Sequence, residues 1–370
     1  MSEPQKKHKT MSNPVSWWIL NILTTCFLAT AIAAFAIRAS RPSAQGSNAG
    51  DVRVFRLGHG LAEDHVVHKA MLQMAERVKE LSGGTMEIQI FPNSLLGSED
   101  ECFKQAQSAQ IDFSKCSASV LDGTAVTAFQ VVGAPFLFRD SEHFWAVMDG
   151  EIGQSLLKDL EKINLVGICF FDAGARSVYS VEKKPVRTPD DMKGLKIRTQ
   201  KSSIAMNSME ALGAAPTPIS WGELYTALSQ GTVDAAENNI PSFVSGRHFE
   251  VCTNFSFTEH QRVPDVLVMS KKIWDSLTPE QQGWIKQAAA EANVSQRKAW
   301  LESEIECEKK ARDAGVNFIK VDRTPFITLS QPIYDKFSPE LQELARRIKA
   351  VGLDEGQKNP ESQAPSPDKK

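Results

Sequence analysis

Two arginines stand just past the ends of predicted strands, a position suited to binding an anion. Arg198 follows the alternating stretch Leu195–Ile197, and Arg176 follows the apolar run Leu165–Phe171 after a short turn. A guanidinium can hold a carboxylate through two parallel hydrogen bonds, and exclusion of water strengthens that pair. A surface salt bridge explains either arginine as well from spacing alone. Carboxylate binding and a surface ion pair are therefore both open for each of them.

Other polar and aromatic side chains occupy comparable positions. Asn238 and Asn239 follow the predicted strand Val233–Ala236, where an amide can hydrogen-bond a polar solute or form a turn. Trp221 begins a predicted helix, and its ring can stack on a ligand or pack in the core. His59 lies at the end of the first predicted strand, the edge at which open α/β sheets bind ligands. These residue types suit a binding site for a polar solute.

Signatures of enzymes and metal sites are missing from the sequence. There is no G-x-S-x-G elbow, Walker loop, G-x-G-x-x-G turn or H-E-x-x-H helix. A metal ion could be bound by a cluster of histidines and carboxylates near the first strand, namely His59, Glu63, Asp64, His65 and His68. The solvated start of a helix is a simpler explanation of these residues. The cysteines after residue 44 are odd in number and irregularly spaced, which predicts neither a disulfide framework nor a zinc site. We expect no cofactor and no catalysis, with a hydrolase acting on sugar acids through two carboxylates as an alternative.

The composition is that of a globular protein with one apolar segment near its N-terminus. The chain has 370 residues, 42% of them hydrophobic, and a formal net charge of −3, and its scattered basic residues argue against a nucleic acid partner. Val15–Ile37 carries no charge, follows a basic leader and is long enough to span a bilayer. A cleaved signal peptide and a retained inner-membrane anchor are equally compatible with it. Either one places the rest of the chain in the periplasm.

The elements that position the candidate residues alternate between short apolar runs and amphipathic helices. The chain begins β-α-β, with a strand at Val52–Leu57, a helix at Asp64–Ser82 and a strand at Met86–Phe91. The same alternation recurs later, which predicts an α/β fold with parallel, doubly wound sheets. A helix beginning at Pro279 is predicted to continue to about Ala314 and to brace two lobes.

Capping signals and changes in composition give the predicted boundaries. Ser98 with Glu101 and Ser220 with Glu223 form two capping-box patterns, each of which marks a helix start. The predicted segments are a signal peptide or anchor at 1–44, a first lobe at 51–169, a second lobe at 170–265, a return to the first lobe at 266–354 that includes the long helix and C-terminal helices, and a disordered tail at 355–370.

Residues 188–239 carry a long, ordered motif. The stretches "TPDDMKGLKIRTQ" and "ALGAAPTPISWGELYTALSQGTVDAAENN" resemble the core signature of the DctP family, the solute receptors of tripartite ATP-independent periplasmic (TRAP) transporters. The resemblance continues through "GHGLAEDHVVHKAM" and "FTEHQRVPDVLVMSKKIWDSLTPEQQ" and covers essentially residues 52–330. It implies two α/β lobes joined by crossing strands and a long spine helix, a periplasmic-binding-protein-like fold that closes on its ligand by a hinge motion.

The resemblance also implies roles for individual residues. Arg198, in "GLKIR", takes the position of the family's carboxylate-binding arginine, and Asn238 that of the amide in its "EN" pair. Arg176 takes the position of a second arginine, and Trp221 that of an aromatic residue before "ELY". The ligand-binding set is therefore expected to include these four.

Two further positions, and the substrate, follow from the same resemblance. Glu99, after "LLG", matches an acidic residue that contacts polar groups of the ligand, and His59 takes a position near the ligand in the first lobe. The implied function is capture of a sugar acid such as a uronate and its delivery to the membrane subunits of a TRAP permease. A C4-dicarboxylate or a 2-oxo acid stays open because two arginines can serve two carboxylates. A membrane-tethered ligand sensor with the same fold is a further alternative.

Overall fold

The described part of the chain is residues 52–353 of a computed structural model. The predicted signal or anchor at 1–44 and the predicted tail at 355–370 lie outside these residues. Among residues 52–353, every helix is too short or too polar to cross a membrane.

Apolar runs in this range form eleven strands. They are β1 (Arg53–Gly58), β2 (Met86–Phe91), β3 (Phe113–Ser117), β4 (Leu165–Phe171), β5 (Arg176–Ser180), β6 (Lys196–Thr199), β7 (Ala215–Pro218), β8 (Ala235–Asn238), β9 (Asn254–Gln261), β10 (Asp265–Ser270) and β11 (Asn317–Lys320). Sheet A has the order β2-β1-β3-β10-β4, and sheet B has the order β11-β9-β5-β8-β6-β7.

Thirteen α-helices of the described range cover the two sheets. They are α1 (Val66–Leu81), α2 (Glu99–Gln107), α3 (Ala128–Val132), α4 (Ser141–Asp149), α5 (Glu151–Asp159), α6 (Ser203–Ala211), α7 (Trp221–Ser229), α8 (Ile240–Ser245), α9 (Lys271–Trp274), α10 (Pro279–Asp313), α11 (Thr324–Ser330), α12 (Pro332–Asp335) and α13 (Pro339–Ala350). The capping box at Ser98 and Glu101 forms at the start of α2. The one expected at Ser220 is wrong, because the Ser220 hydroxyl donates to the Glu223 side chain instead of capping the backbone of α7.

Both sheets are mixed, so the prediction of parallel sheets is wrong. In sheet A, β1 pairs in parallel with β2 and β3, whereas β10 is antiparallel to β3 and β4. In sheet B, β5 is antiparallel to β8 and β9. The reason is topological: β4 leads from sheet A into β5 of sheet B, and β9 leads back from sheet B into β10. Two crossings in opposite directions force antiparallel neighbours in both sheets.

The long helix α10 packs against both parts of the molecule. It contacts α1 and β4 beside sheet A and α8 beside sheet B. Its Gln296 side chain exchanges two 2.9 Å hydrogen bonds with the backbone of Asp172, in the crossing between β4 and β5. Gly174, two residues on, has φ +58°, and a Cβ there would lie 2.9 Å from Trp300 Nε1 of α10. The crossing is therefore held directly against the long helix.

The buried cores identify two lobes, one built on each sheet. Leu57, Phe113 and Trp300 belong to the core between sheet A and helices α1 and α10. Tyr179 and Phe255 belong to the core between sheet B and helices α7 and α8. The segment after residue 266 serves both lobes, since α13 packs in a second core on the other face of sheet A but β11 pairs with β9 in sheet B. This differs from the predicted return of 266–354 to the first lobe alone.

Candidate functional site

A cleft of about 770 Å³, a volume that includes the open solvent at its entrance, lies between the two sheets. Its walls come from the ends of β3, β6 and β8, the beginnings of α2, α7 and α8, and the two crossings between the sheets. Its charged lining residues are Glu99, Asp100, Lys115, Arg176, Arg198, Lys201 and Asp265. Opposite charges at this density predict a site for a polar, ionised ligand.

Arg198 is the buried cation of this cleft that lacks a counter-ion. It lies on β6, its relative exposure is 3%, and its Nε donates a 2.8 Å hydrogen bond to the carbonyl of Ile219. Within residues 52–353 its Nη1 and Nη2 groups have no hydrogen-bond partner and it forms no salt bridge. Burial lowers the pKa of Arg198 below its usual value, yet a guanidinium stays protonated near neutral pH. The open N–H groups can receive a carboxylate in bidentate geometry.

Arg176, which also lines the cleft, already has an acidic partner. Its Nε lies 2.5 Å from Glu237 Oε2, its Nη2 donates to Oε1 at 2.9 Å, and its Nη1 donates to Asn238 Oδ1 at 2.9 Å. Burial acts to raise the pKa of Glu237, but the charge and hydrogen bonds of Arg176, with the nearby His260 whose Nε2 is 3.6 Å from Glu237 Oε2, lower it to about 2. Arg176 and Glu237 thus form a neutral ion pair, and Arg176 keeps less capacity for a ligand carboxylate than Arg198.

Asn238 and Asn239 differ in the hydrogen-bonding groups that remain available to a ligand. Asn239 caps α8 through its Oδ1, which accepts from the Ser242 N–H at 2.7 Å, and its Nδ2 donates to the carbonyl of Ala173 at 2.9 Å. Asn238 accepts three hydrogen bonds on Oδ1, while its Nδ2 has no partner within residues 52–353. Both line the cleft, and Asn238 has a donor available to a ligand.

The opposite wall, on sheet A, contains a cluster that the sequence did not predict as a whole. Lys115 on β3 lies 2.9 Å from Asp265 Oδ2 and 3.1 Å from Glu99 Oε1. Burial alone lowers the pKa of Lys115, but the two carboxylates outweigh that effect and raise it. Glu99 was expected at the site, whereas Lys115 and Asp265 were not. A charged residue inside each of the apolar stretches "FSKCS" and "PDVLVMS" was the available signal.

Trp221 lies at the mouth of the cleft. Its ring centroid is 4.9 Å from that of His248, and a Cβ on Gly60 of the other lobe would be 3.6 Å from Trp221 Cδ1. The indole is half-buried and lines the cleft, and its stacking on a ligand stays a prediction.

His59 is set apart from the other predicted site residues because it does not line the cleft. It is fully buried, its Nδ1 accepts from the Leu61 N–H at 3.1 Å, and its Nε2 lies 3.0 Å from His68 Nδ1. With both ring nitrogens engaged, His59 supports the loop beside the cleft, and its contact with a ligand stays a prediction. Within residues 52–353, no group of three or more His, Cys, Asp or Glu side chains is placed to hold a metal ion.

The family model that matches this chain is DctP, "Bacterial extracellular solute-binding protein, family 7", over residues 57–340. A solute-binding protein of Chromohalobacter salexigens is 36% identical over 284 residues, which are 76% of this chain and 84% of the relative. A TRAP periplasmic solute-binding protein of Xanthobacter autotrophicus Py2, solved with β-D-galacturonate, superposes with a TM-score of 0.78 at 39% identity and covers 80% of this chain and 99% of its own. One from Pseudomonas putida F1, solved with D-glucuronate, gives a TM-score of 0.78 at 34% identity and covers 81% and 98%.

The match spans both sheets, both crossings, the long helix and the residues around the cleft. The chain therefore belongs to family 7 of the bacterial extracellular solute-binding proteins, the DctP family.

Proposed function

We propose that this protein is the periplasmic receptor of a TRAP transporter and that it captures a uronate in the cleft between its sheets. The main support for this proposal is the state of the Arg198 side chain. Its guanidinium is buried, charged and open at two nitrogen atoms, so a ligand carboxylate supplies the missing partner. The bound galacturonate and glucuronate of the two similar structures each have one such carboxylate.

The other cleft residues suit the hydroxyl groups of a sugar acid. Asn238 offers an N–H donor, Glu99 and Asp265 offer carboxylate acceptors, and Trp221 offers an aromatic face. Release of the unchanged ligand to the membrane subunits of a permease completes the proposed cycle, with no chemical step. Retention at the inner membrane through residues 15–37 stays a prediction from the sequence.

A ligand screen tests this function directly. We expect galacturonate or glucuronate to raise the melting temperature, since a ligand at 100 times its Kd adds about 2.7 kcal/mol of stability. Calorimetry should then give one site per chain, and the ligand recovered afterwards should be chemically unchanged. Stabilisation by succinate or a 2-oxo acid, with none by any uronate, would replace the proposed substrate with one of those acids.

A further inference from the structure

The two walls of the cleft carry opposite net charge. On the sheet B wall, Arg198 is unpaired among residues 52–353 and Arg176 is neutralised by Glu237, which leaves one positive charge. On the sheet A wall, Lys115 lies between Glu99 and Asp265, which leaves one negative charge. The only charged pair at the rim in the described chain, Asp100 and Lys201 at 3.5 Å, adds no net charge. The cleft is therefore positive on one side and negative on the other.

The negative wall is rigidly built. Lys115 is 1% exposed and holds both carboxylates within 3.1 Å, and Asp265 and Ser117 are register partners in the antiparallel pair of β10 with β3. Glu99 Oε2 is 3.5 Å from the Ser117 N–H, while Asp265 Oδ1 has no hydrogen-bond partner within residues 52–353. Acceptor oxygen atoms are thus available to a ligand, and the Lys115 ammonium group, which also lines the cleft, has two of its three donors already used.

We propose that Glu99, Lys115 and Asp265 select acids with a single carboxylate and reject acids with two. This inference rests on the proposed function and deepens it. A hydroxyl group can donate to Glu99 or Asp265, whereas a second carboxylate has no proton to donate and meets a wall with one net negative charge. The low effective dielectric of a closed cleft strengthens that repulsion. The ligand class is therefore hydroxylated monocarboxylates, such as uronates, and excludes aldarates and C4-dicarboxylates.

The test compares galacturonate with galactarate, which has the same hydroxyl configuration and a carboxylate at both ends. Calorimetry at constant pH and ionic strength gives the ratio of the two Kd values. We expect the wild type to prefer galacturonate by at least a hundredfold, and Glu99→Gln to lower that preference at least tenfold because it removes one negative charge. Asp265→Asn should act in the same direction. Glu302→Gln, the same change at an exposed position on α10, should leave the ratio unaltered.

Each result decides a different point. Galacturonate binding with the same ratio in Glu99→Gln, Asp265→Asn and Glu302→Gln refutes the selectivity mechanism but leaves the proposed function intact. Tight galactarate binding by the wild type refutes the mechanism whatever the variants do. Failure of every uronate to bind refutes the proposed function, and the selectivity proposal falls with it. Thermal unfolding of each variant without ligand identifies any loss of affinity that comes from misfolding.

Discussion

Lys115 and Arg198 are buried cations on opposite walls of the cleft, but within residues 52–353 only Lys115 of these two has acidic partners. Lys115 on sheet A is 1% exposed and has two carboxylates within 3.1 Å, whereas Arg198 on sheet B is 3% exposed and has one backbone carbonyl. Arg176, on the same wall as Arg198, is paired like Lys115. A paired buried charge belongs to the folding of the apo protein, while an unpaired one costs free energy until a ligand arrives. The comparison separates structural charge from binding charge.

The largest expected effect comes from breaking a structural pair on sheet B. Arg176→Met leaves Glu237 as a buried carboxylate without its main partner, and removal of one member of such a pair costs about 3–5 kcal/mol. Chemical denaturation should show this loss in the free energy of unfolding. The double variant Arg176→Met/Glu237→Leu should recover most of it because no charge is left uncompensated. A loss below about 1 kcal/mol in the single variant would mean that Arg176 is not a structural charge.

A change of pH tests the buried histidines beside both walls. Burial, with added repulsion from Lys115, lowers the pKa of His59 to about 2 and that of His65 to about 3, and burial lowers that of His248 to about 3. An unfolded histidine has a pKa of about 6.5, so the unfolded state binds more protons below that pH. The stability from these residues is therefore complete above pH 6.5 and is lost progressively as the pH falls towards 3.

The magnitude follows from proton linkage. Between pH 7.0 and 5.5 each such histidine should cost about 1.3 kcal/mol, and the three together about 3 to 4 kcal/mol. Unfolding free energies measured at the two pH values should show this drop, and His59→Asn should reduce it by about one third. An identical drop in wild type and His59→Asn would contradict the assignment of His59 as a neutral, buried group.

Substitution of Arg198 should have the opposite outcome to substitution of Arg176. It should weaken ligand binding strongly and change the free energy of unfolding little. We expect Arg198→Ala to weaken uronate binding at least tenfold, or about 1.4 kcal/mol, since a charged bidentate contact is lost. Arg198→Lys should restore little of it because an ammonium group cannot reproduce the fork. The free energy of unfolding without ligand should stay the same or rise. Arg346→Ala, at an exposed position on α13, is the control for a lost positive charge, and equal affinities in it and Arg198→Ala would overturn the assignment.

Structural features that depend on residues close together in the sequence were predictable. The long helix from Pro279 was recognisable from its cap and hydrophobic pattern, and it ends at Asp313, one residue before the predicted end. Arg198 was recognisable as a strand-end residue, and resemblance to a family gave it a role. The direction of β10 was not predictable, because antiparallel and parallel strands have similar patterns when both of their faces are buried.

Contacts between distant residues were beyond the same reasoning. Lys115 and Asp265 are 150 positions apart, and Arg176 and Glu237 are 61 apart, so neither pair has a local signature. From spacing alone, Arg176 and Arg198 were equivalent candidates for a carboxylate, and only the family resemblance distinguished them. Only the fold shows that one of them already has its counter-ion.

The smallest expected effect concerns the adjacent residues Asn238 and Asn239. This pair repeats, within one dipeptide, the comparison of a binding residue with a structural one. Both amide atoms of Asn239 are used by the fold, in the cap of α8 and in the bond to the Ala173 carbonyl, whereas the Nδ2 of Asn238 is free among residues 52–353. Loss of an N-cap costs about 1 kcal/mol, so Asn239→Ala should lower the free energy of unfolding by that amount.

Asn239→Asp keeps the capping oxygen but places a carboxylate oxygen against the Ala173 carbonyl and Asn238 Oδ1, two acceptors to which Nδ2 donated, so it should also lower the free energy of unfolding. Asn238→Ala should weaken uronate binding, because it removes a donor available to a ligand, and it should also lower the free energy of unfolding, because three hydrogen bonds to Oδ1 are lost. Denaturation and calorimetry on the three variants measure both quantities. If Asn239→Ala weakened binding more than Asn238→Ala did, the helix cap would be part of the binding surface. A side chain whose polar atoms all have partners within the protein could then still bind the ligand, and this criterion would not identify structural residues in the cleft.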